Sequence, residues 1–227
     1  MTKMLPLLLI ALAYGVVLWL FSAWRLRAEL DARSRPLTDP ALDPVRRRLA
    51  RALGVETVPV HIYDVDQVNG LAAPDARIFL TRGFYQKFRA GEVSAEEMAS
   101  VIAHELGHVA LGHSRRRMID FSGQNALRIL LATVLGRVLP GAGVWLAGLL
   151  TTLVAARLSR RDEYEADAYA SALLVKAGIG TGPQKSLFAK LGRLTGAGTA
   201  PPAWLMTHPP TADRIRAIEA NEARWGI

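Results

Sequence analysis

The chain has 227 residues, with 28 Lys and Arg against 20 Asp and Glu and a net charge of +8. Once an apolar N-terminal segment is set aside, about 190 residues remain, enough for one sizeable core and too few for two ordinary domains. Cysteine is absent. That excludes a disulfide framework and thiolate chemistry, so a metal site must draw on His, Asp or Glu. The histidines are His61, His104, His108, His113 and His208.

Residues Met4 to Trp24 are almost entirely apolar. At the helical rise such a stretch reaches about 30 Å, the thickness of the hydrocarbon layer. Trp19 and Trp24 lie toward one end, where indoles prefer the interface. No small-x-small cleavage site follows, so residues 4–24 read as one N-terminal transmembrane helix, an uncleaved anchor. Only Lys3 precedes it, whereas Arg25, Arg27, Arg33, Arg35, Arg46, Arg47, Arg48 and Arg51 follow. The positive-inside bias then puts the rest of the chain in the cytoplasm, at the inner face of the cell membrane. The arginines suit anionic headgroups or a solvated surface equally. No nucleic-acid partner is expected, since there is no zinc-finger spacing and no aromatic-interleaved basic strand.

Residues 25–42 read as a basic linker, punctuated by Pro and Asp from Ser34 onward. The remaining domain, 43–227, opens with Asp43 as helix cap and Pro44 in the first turn, and Gly54 stops that helix. Val58 to Val65 alternates and is β-branched, so it reads as a strand. Asn69 to Ala73 and Arg77 to Thr81 read as two more around a turn at Pro74-Asp75-Ala76. Together they make one small antiparallel sheet. Ser94 and Glu97 form a capping box for a helix continuing to about Ser114. Helical segments follow near Ala126 to Leu139 and Val144 to Leu158, broken at Pro140-Gly141. The second is able to continue as one rod to Ala177, before Gly178. A Pro183-led helix and a last helix from Thr211 to Ala223 complete a mainly α (α+β) domain.

His104-Glu105-Leu106-Gly107-His108 carries the chemistry. Positions i and i+4 share a helix face, so both imidazoles reach one ion, and zinc accepts such nitrogens. Glu105 stands beside the first and is placed to take a proton from water. The alternative is a pair of ordinary helix histidines. A catalytic zinc needs a third protein ligand and an open position. Leu111 and Ser114 occupy the places where a third-histidine pattern needs Gly and His, and His113 is one residue off, so it reads as solvated or capping. Asp162, Glu163, Glu165 and Asp167 offer carboxylates. Glu163 and Asp167 lie one turn apart on one face, with Ala166 and Ala170 beside them to allow a close helix approach. Glu163 reads as the third ligand of one zinc per chain, and Asp167 as acceptor for a ligand histidine's other N–H. Asp162 and Glu165 read as solvated or arginine-paired.

With these motifs in order, the chain resembles the membrane-associated zinc metallopeptidases of the HtpX, type I CAAX prenyl endopeptidase and mitochondrial Oma-type kind, gluzincins in class. The matching stretches are Asn69-Gly-Leu-Ala with Ile78-Phe-Leu-Thr-Arg-Gly83, the helix from His104, Ser159 to Asp167, and Thr207-His-Pro-Pro-Thr211 with Arg214. The resemblance implies a zincin-like helical metallopeptidase domain. It implies roles at the active site for His208 and Arg214, in supporting the oxyanion or steadying the metal-binding carboxylate. It also implies that Asn69, Gly70, Leu71 and Ala72 form the strand edge along which an extended peptide pairs. Gly70 departs from the small or aromatic residue usual there. A dedicated prenyl-protein processor is not expected, because those relatives carry several spans.

The expected activity is zinc metalloendopeptidase, with Glu105 as base. By analogy its protein or peptide substrates include misfolded membrane proteins, a membrane-protein quality-control role. The rival is a catalytically idle, membrane-anchored metal- or protein-binding module of the same fold. Intact Glu105 argues against it. Residues 127–157 are apolar but interrupted by Arg128, Arg137 and Arg157, and each half is short of a span. They read as a hairpin at the lipid surface or over the cleft, with a second span and ordinary core as the other readings.

Overall fold

The computed structural model describes residues 4–73, 75–113, 128–194 and 211–227. In chain order the elements are α1 (Met4–Arg33), β1 (Ser34–Pro36), α2 (Asp43–Leu53), β2 (Val60–Tyr63), β3 (Gly70–Ala72), β4 (Ile78–Thr81), α3 (Arg82–Arg89) and α4 (Ala95–Ala110). There follow α5 (128–138), α6 (Gly143–Lys176), α7 (Gly182–Leu194) and α8 (Thr211–Trp225). Among the described residues the chain is mainly helical with one four-stranded sheet. It divides into two compact units, residues 1–29 with 112–161, and residues 30–111 with 162–227.

The second unit holds the sheet. Its order is β1-β2-β4-β3. β1 pairs antiparallel with β2, with Arg35 opposite Ile62. β2 runs parallel to β4, with Ile62 opposite Leu80, and β3 is antiparallel to β4, with Leu71 opposite Phe79. The sheet is therefore mixed, not the antiparallel one expected from three sequential strands. Every residue of β4 is buried, as suits a central strand covered on both faces, and it lies between β2 and β3 instead of extending a meander. Residues 25–42, read as a linker, hold the end of α1 and β1. Leu37 and Leu42 are buried in the core.

Local chemistry explains the helices. Pro44 sits in the first turn of α2, Arg51 in its last, and Gly54 closes it in the left-handed region at φ 73°. The Thr81 hydroxyl accepts from the Phe84 N–H to start α3. For α4, the Ser94 hydroxyl accepts from the Glu97 N–H at 3.1 Å and the Glu97 carboxylate accepts from the Ser94 N–H at 2.8 Å. Val45 and Leu49 of α2, Ile62, Leu80, Met98 and Ile102 of α4, Leu173 and Leu174 of α6, Leu187 and Leu191 of α7 and Ile218 of α8 form one core.

In the other unit, α5 and α6 are joined by a tight turn in which the Gly143 N–H donates to the Leu139 carbonyl at 2.8 Å. The break expected at Pro140-Gly141 is there, and α6 runs unbroken to Lys176. Ile129, Leu130, Val134, Val138, Val144, Leu153 and Trp145, the last 70 % exposed, show apolar side chains to the outside. α1 likewise exposes Val17, Leu20, Phe21 and Trp24. Among the described residues no helix is long and apolar enough to cross a membrane. The side chains of residues 4–12 lie outside the described set, and α1 beyond Trp24 carries Arg25, Arg27, Glu29, Asp31 and Arg33.

Candidate metal centre

α4 supplies His104 and His108. The helical spacing turns both rings to one side, 4.7 Å apart between centroids and nearly perpendicular. α6 brings Glu163 against them. The two helices meet this closely because residue 107 lacks a side chain: a Cβ there would lie 3.0 Å from the Ala166 carbonyl oxygen and 3.1 Å from the Ala166 Cα. Ala166 and Ala170 are fully buried, in line with the small-residue contact expected of them.

The donor atoms converge. His104 Nε2 and His108 Nε2 are 3.1 Å apart, His104 Nε2 is 3.4 Å from Glu163 Oε2, and His108 Nε2 is 3.5 Å from Glu163 Oε1. Around a tetrahedral zinc with bonds of 2.0–2.1 Å, neighbouring donors stand about 3.3 Å apart. The residues therefore fit such an ion: two imidazole nitrogens and a carboxylate suit zinc in chemistry as well as in spacing.

Behind His104 lies a buried chain of polar groups. His104 Nδ1 is 2.9 Å from Asp167 Oδ1. With Nδ1–H donating to that carboxylate, the lone pair of Nε2 faces Glu163 and His108. Arg214, from the first turn of α8, donates Nε–H to Asp167 Oδ2 and Nη2–H to Asp167 Oδ1, each at 2.7 Å. This fork grips both carboxylate oxygens. The Arg214 guanidinium carbon sits 4.1 Å from the centre of the Phe188 ring.

Electrostatics follow from this packing. Burial favours neutral His104, but the hydrogen bonds it donates to the Asp167 and Glu163 carboxylates outweigh burial and raise its pKa to about 9. Burial likewise works against ionised Asp167, yet the charge and hydrogen bonds of Arg214, with help from His104, hold its carboxyl below the usual range. A field that holds a proton on a buried imidazole is also one that favours a bound cation.

Glu105 is buried, next to His104 on the helix but turned toward β3. A Cβ on Gly70 would come within 3.3 Å of Glu105 Oε1 and 2.7 Å of Val101 Cγ1. The edge strand thus passes directly over the Glu105 carboxylate because residue 70 is glycine. Asn69 is tied into the sheet: its N–H donates to Thr81 Oγ1 at 2.9 Å, its carbonyl accepts from the Thr81 N–H at 3.0 Å, and its Oδ1 accepts from the Gly70 N–H at 3.0 Å. Leu71 packs with Leu30, Ala73 and Phe79, while Ala72 packs on the main core. Of the four expected peptide-binding residues, Gly70 lies beside Glu105.

His208 lies outside the described residues. Arg214 is fully buried and its fork grips Asp167, whereas the expectation named an oxyanion or the metal-binding carboxylate. His113, read as solvated or capping, and Asp162, read as solvated or arginine-paired, are 1 % and 2 % exposed, so neither is solvated. Sequence reasoning passed over Phe188, Gln184 and Ser171. Their signal is the spacing of Gln184 and Phe188, four apart on one helix face.

A His-Glu-x-x-His helix facing a glutamate from a later helix defines a metallopeptidase centre. The chain belongs to peptidase family M48, whose model matches residues 36–222, and is a peptidase. It is similar to the metalloprotease LoiP of Escherichia coli strain K12, 32 % identical over 206 residues that cover 88 % of this chain and 78 % of LoiP. It is also similar to the metalloprotease YcaL of the same strain, 30 % identical over 175 residues covering 75 % of this chain and 66 % of YcaL. The protease HtpX of Pseudomonas aeruginosa strain LESB58 is 26 % identical over 212 residues, 76 % of this chain and 69 % of HtpX. Membership implies a metal, generally zinc.

Proposed function

We propose that the chain is a membrane-anchored zinc metalloendopeptidase in which His104, His108 and Glu163 hold the ion and Glu105 is the general base. The observation that carries this is the approach of His104 Nε2, His108 Nε2 and Glu163 to within 3.5 Å of one another next to Glu105. Bound zinc supplies Lewis acidity, polarising the scissile carbonyl and acidifying water. The chain's own groups do the rest. The Glu105 carboxylate takes the proton from the attacking water and passes it to the leaving amine nitrogen. Asp167, gripped by Arg214, keeps the His104 Nδ1 proton in place and so fixes the ring's orientation. The open edge of β3 over Glu105 offers an extended peptide main-chain pairing with little side-chain selection. His208 is proposed to support the oxyanion, as in the family pattern.

The anchor is the apolar run Met4 to Trp24, supported by the outward-facing Val17, Leu20, Phe21 and Trp24. The exposed apolar residues of 127–157 suit a hairpin lying in the lipid interface. The arginines after α1's apolar part favour a cytoplasmic catalytic domain. Substrates are proteins or peptides, and misfolded membrane proteins fit an anchored enzyme with an unselective edge.

Metal analysis paired with casein cleavage tests the reading. Glu163→Ala is expected to lose zinc and activity. Glu105→Gln is expected to keep stoichiometric zinc and lose activity by several orders of magnitude. Full cleavage by Glu105→Gln sinks the assignment, and absent cleavage by wild type with zinc retained supports the idle-module rival.

A further inference from the structure

α7 carries none of the expected site residues, yet three of its faces grip the elements that form the metal centre. On one, Ser186 Oγ–H donates to Glu97 Oε1 at 2.7 Å and Lys190 Nζ lies 2.7 Å from the same oxygen, pinning the start of α4. On another, Lys185 Nζ–H donates to Glu222 Oε2 of α8 at 2.8 Å. The third face presents Gln184 and Phe188, four residues apart and therefore one above the other. Gln184 Nε2–H donates to the Asp167 carbonyl at 3.3 Å, and Ser171 Oγ–H donates to Gln184 Oε1 at 2.8 Å. The Arg214 guanidinium carbon lies over the Phe188 ring, 4.1 Å from its centre. Gln184, Ser171, Phe188, Asp167 and Arg214 are each at most 4 % exposed.

We propose that Phe188 and Gln184 are positioning residues that set the zinc affinity of His104 by holding Asp167 from both ends. This rests on the reading of His104, His108 and Glu163 as zinc ligands. A buried guanidinium has lost its water, so its orientation depends on what meets its edge and its face. Asp167 meets the edge. The Phe188 ring lies against the cation, its centre 4.1 Å from the guanidinium carbon, where the quadrupole attracts the charge and the ring's bulk limits movement of the group. With the ring removed, Arg214 is free to rock and carries the Asp167 carboxylate out of line with His104 Nδ1–H. Gln184 acts on the other end: a helix carbonyl at residue 167 already serves α6, and the additional amide donor fixes that turn to α7. Neither residue touches the ion or a substrate. Their effect passes through the orientation of one imidazole.

The test uses the full-length chain in detergent, with zinc affinity measured by competition against a chromophoric chelator and thermal melting followed in parallel. Phe188→Leu is expected to weaken zinc binding about tenfold, as removal of groups that orient metal ligands does. Phe188→Tyr keeps the ring face and is expected to remain close to wild type. Gln184→Met, similar in shape without the amide, is expected to weaken binding in the same direction. Leu49→Ala opens a cavity in the α2 core away from the centre and supplies the control, lowering the melting temperature with zinc affinity unchanged. Equal zinc affinity in Phe188→Leu and wild type overturns the proposal. So does a loss no greater than in Leu49→Ala at matched melting temperature. His104→Ala separates the two levels: zinc retained there removes the metal-centre reading itself and the proposal with it, whereas zinc lost there but kept in Phe188→Leu removes the proposal alone.

Discussion

Asp167 makes three strong contacts with two partners, His104 Nδ1 and the two ends of the Arg214 fork, and all are within 2.9 Å. Asp167→Asn keeps the shape but loses the charge and one acceptor. Zinc affinity is expected to fall by about ten- to a hundredfold, read by chelator competition. Gly107 is as demanding for a different reason. A methyl group there meets main chain of α6, not a flexible side chain. Gly107→Ala should push α4 and α6 apart by a few tenths of an ångström, lower stability by about 1–3 kcal/mol in denaturant unfolding, and reduce turnover with it. At this scale the sequence was informative where chemistry is local. His104, Glu105 and His108 declare themselves by spacing within a single helix, and Glu163 with Asp167 by sharing one face of another. That Arg214 is the second partner of Asp167 does not declare itself, because nothing near it in sequence marks it as buried and the family resemblance placed it only at the site. Its burial comes from α6 and α7 closing around it.

Among the elements, α4 depends most on its first turn. Glu97 is 3 % exposed, and its carboxylate accepts from the Ser94 N–H, Ser186 and Lys190. Ser94→Ala removes only the cap and is expected to cost about 1 kcal/mol. Glu97→Ala also unties α7 and is expected to cost about 2 kcal/mol, both read from unfolding midpoints. α3 is tied to the chain before α2 by Asp39, whose carboxylate accepts from Tyr85 Oη–H at 2.6 Å, the Ala41 N–H at 2.9 Å and Arg89 Nη1–H at 3.0 Å. The Tyr85 hydroxyl, then the Ala41 N–H and Arg89, hold its pKa below the ordinary value of 3.8 despite burial. The stability it contributes is therefore complete above pH 3.8 and is lost as pH falls through the lowered folded-state value. Asp39→Asn is expected to flatten this part of an acid-unfolding curve and leave the curve above pH 5 parallel to wild type. The capping box, the proline entry to α2 and the turn before α6 were legible because each is a local signal. β1 was not: Ser34-Arg35-Pro36 has no alternation, and its extended form follows from pairing with β2. The direction of β4 was not legible either, since strand order is a property of tertiary packing and not of the turn at residue 75.

For the molecule as a whole, metal and fold are thermodynamically linked. An ion bound only by the folded state adds RT ln(1 + [L]/Kd) to stability, about 2.7 kcal/mol at a hundred times Kd. Chelation of the wild type is expected to lower its melting temperature, and the same chelator should leave the melting temperature of Glu163→Ala unchanged. The apolar side chains shown by Trp145, Val138 and Ile129 lead to a second expectation. A chain lacking residues 1–24 should still partition onto anionic vesicles, and Trp145→Asp combined with Val138→Asp should weaken that partition several-fold without changing zinc content. Unaltered partition in the double variant removes the lipid role of the hairpin. The apolar character of 127–157 was plain from composition, but composition does not distinguish lipid from protein as the neighbour.

Arg214 reaches His104 across 110 positions of the chain, from the last helix. During synthesis, α4 and its paired imidazoles leave the ribosome long before that arginine exists. A nascent chain thus carries His104 and His108 before the guanidinium that grips Asp167 has been made. Chains that stop before residue 211 are expected to bind zinc weakly, read by chelator competition on a chain truncated there.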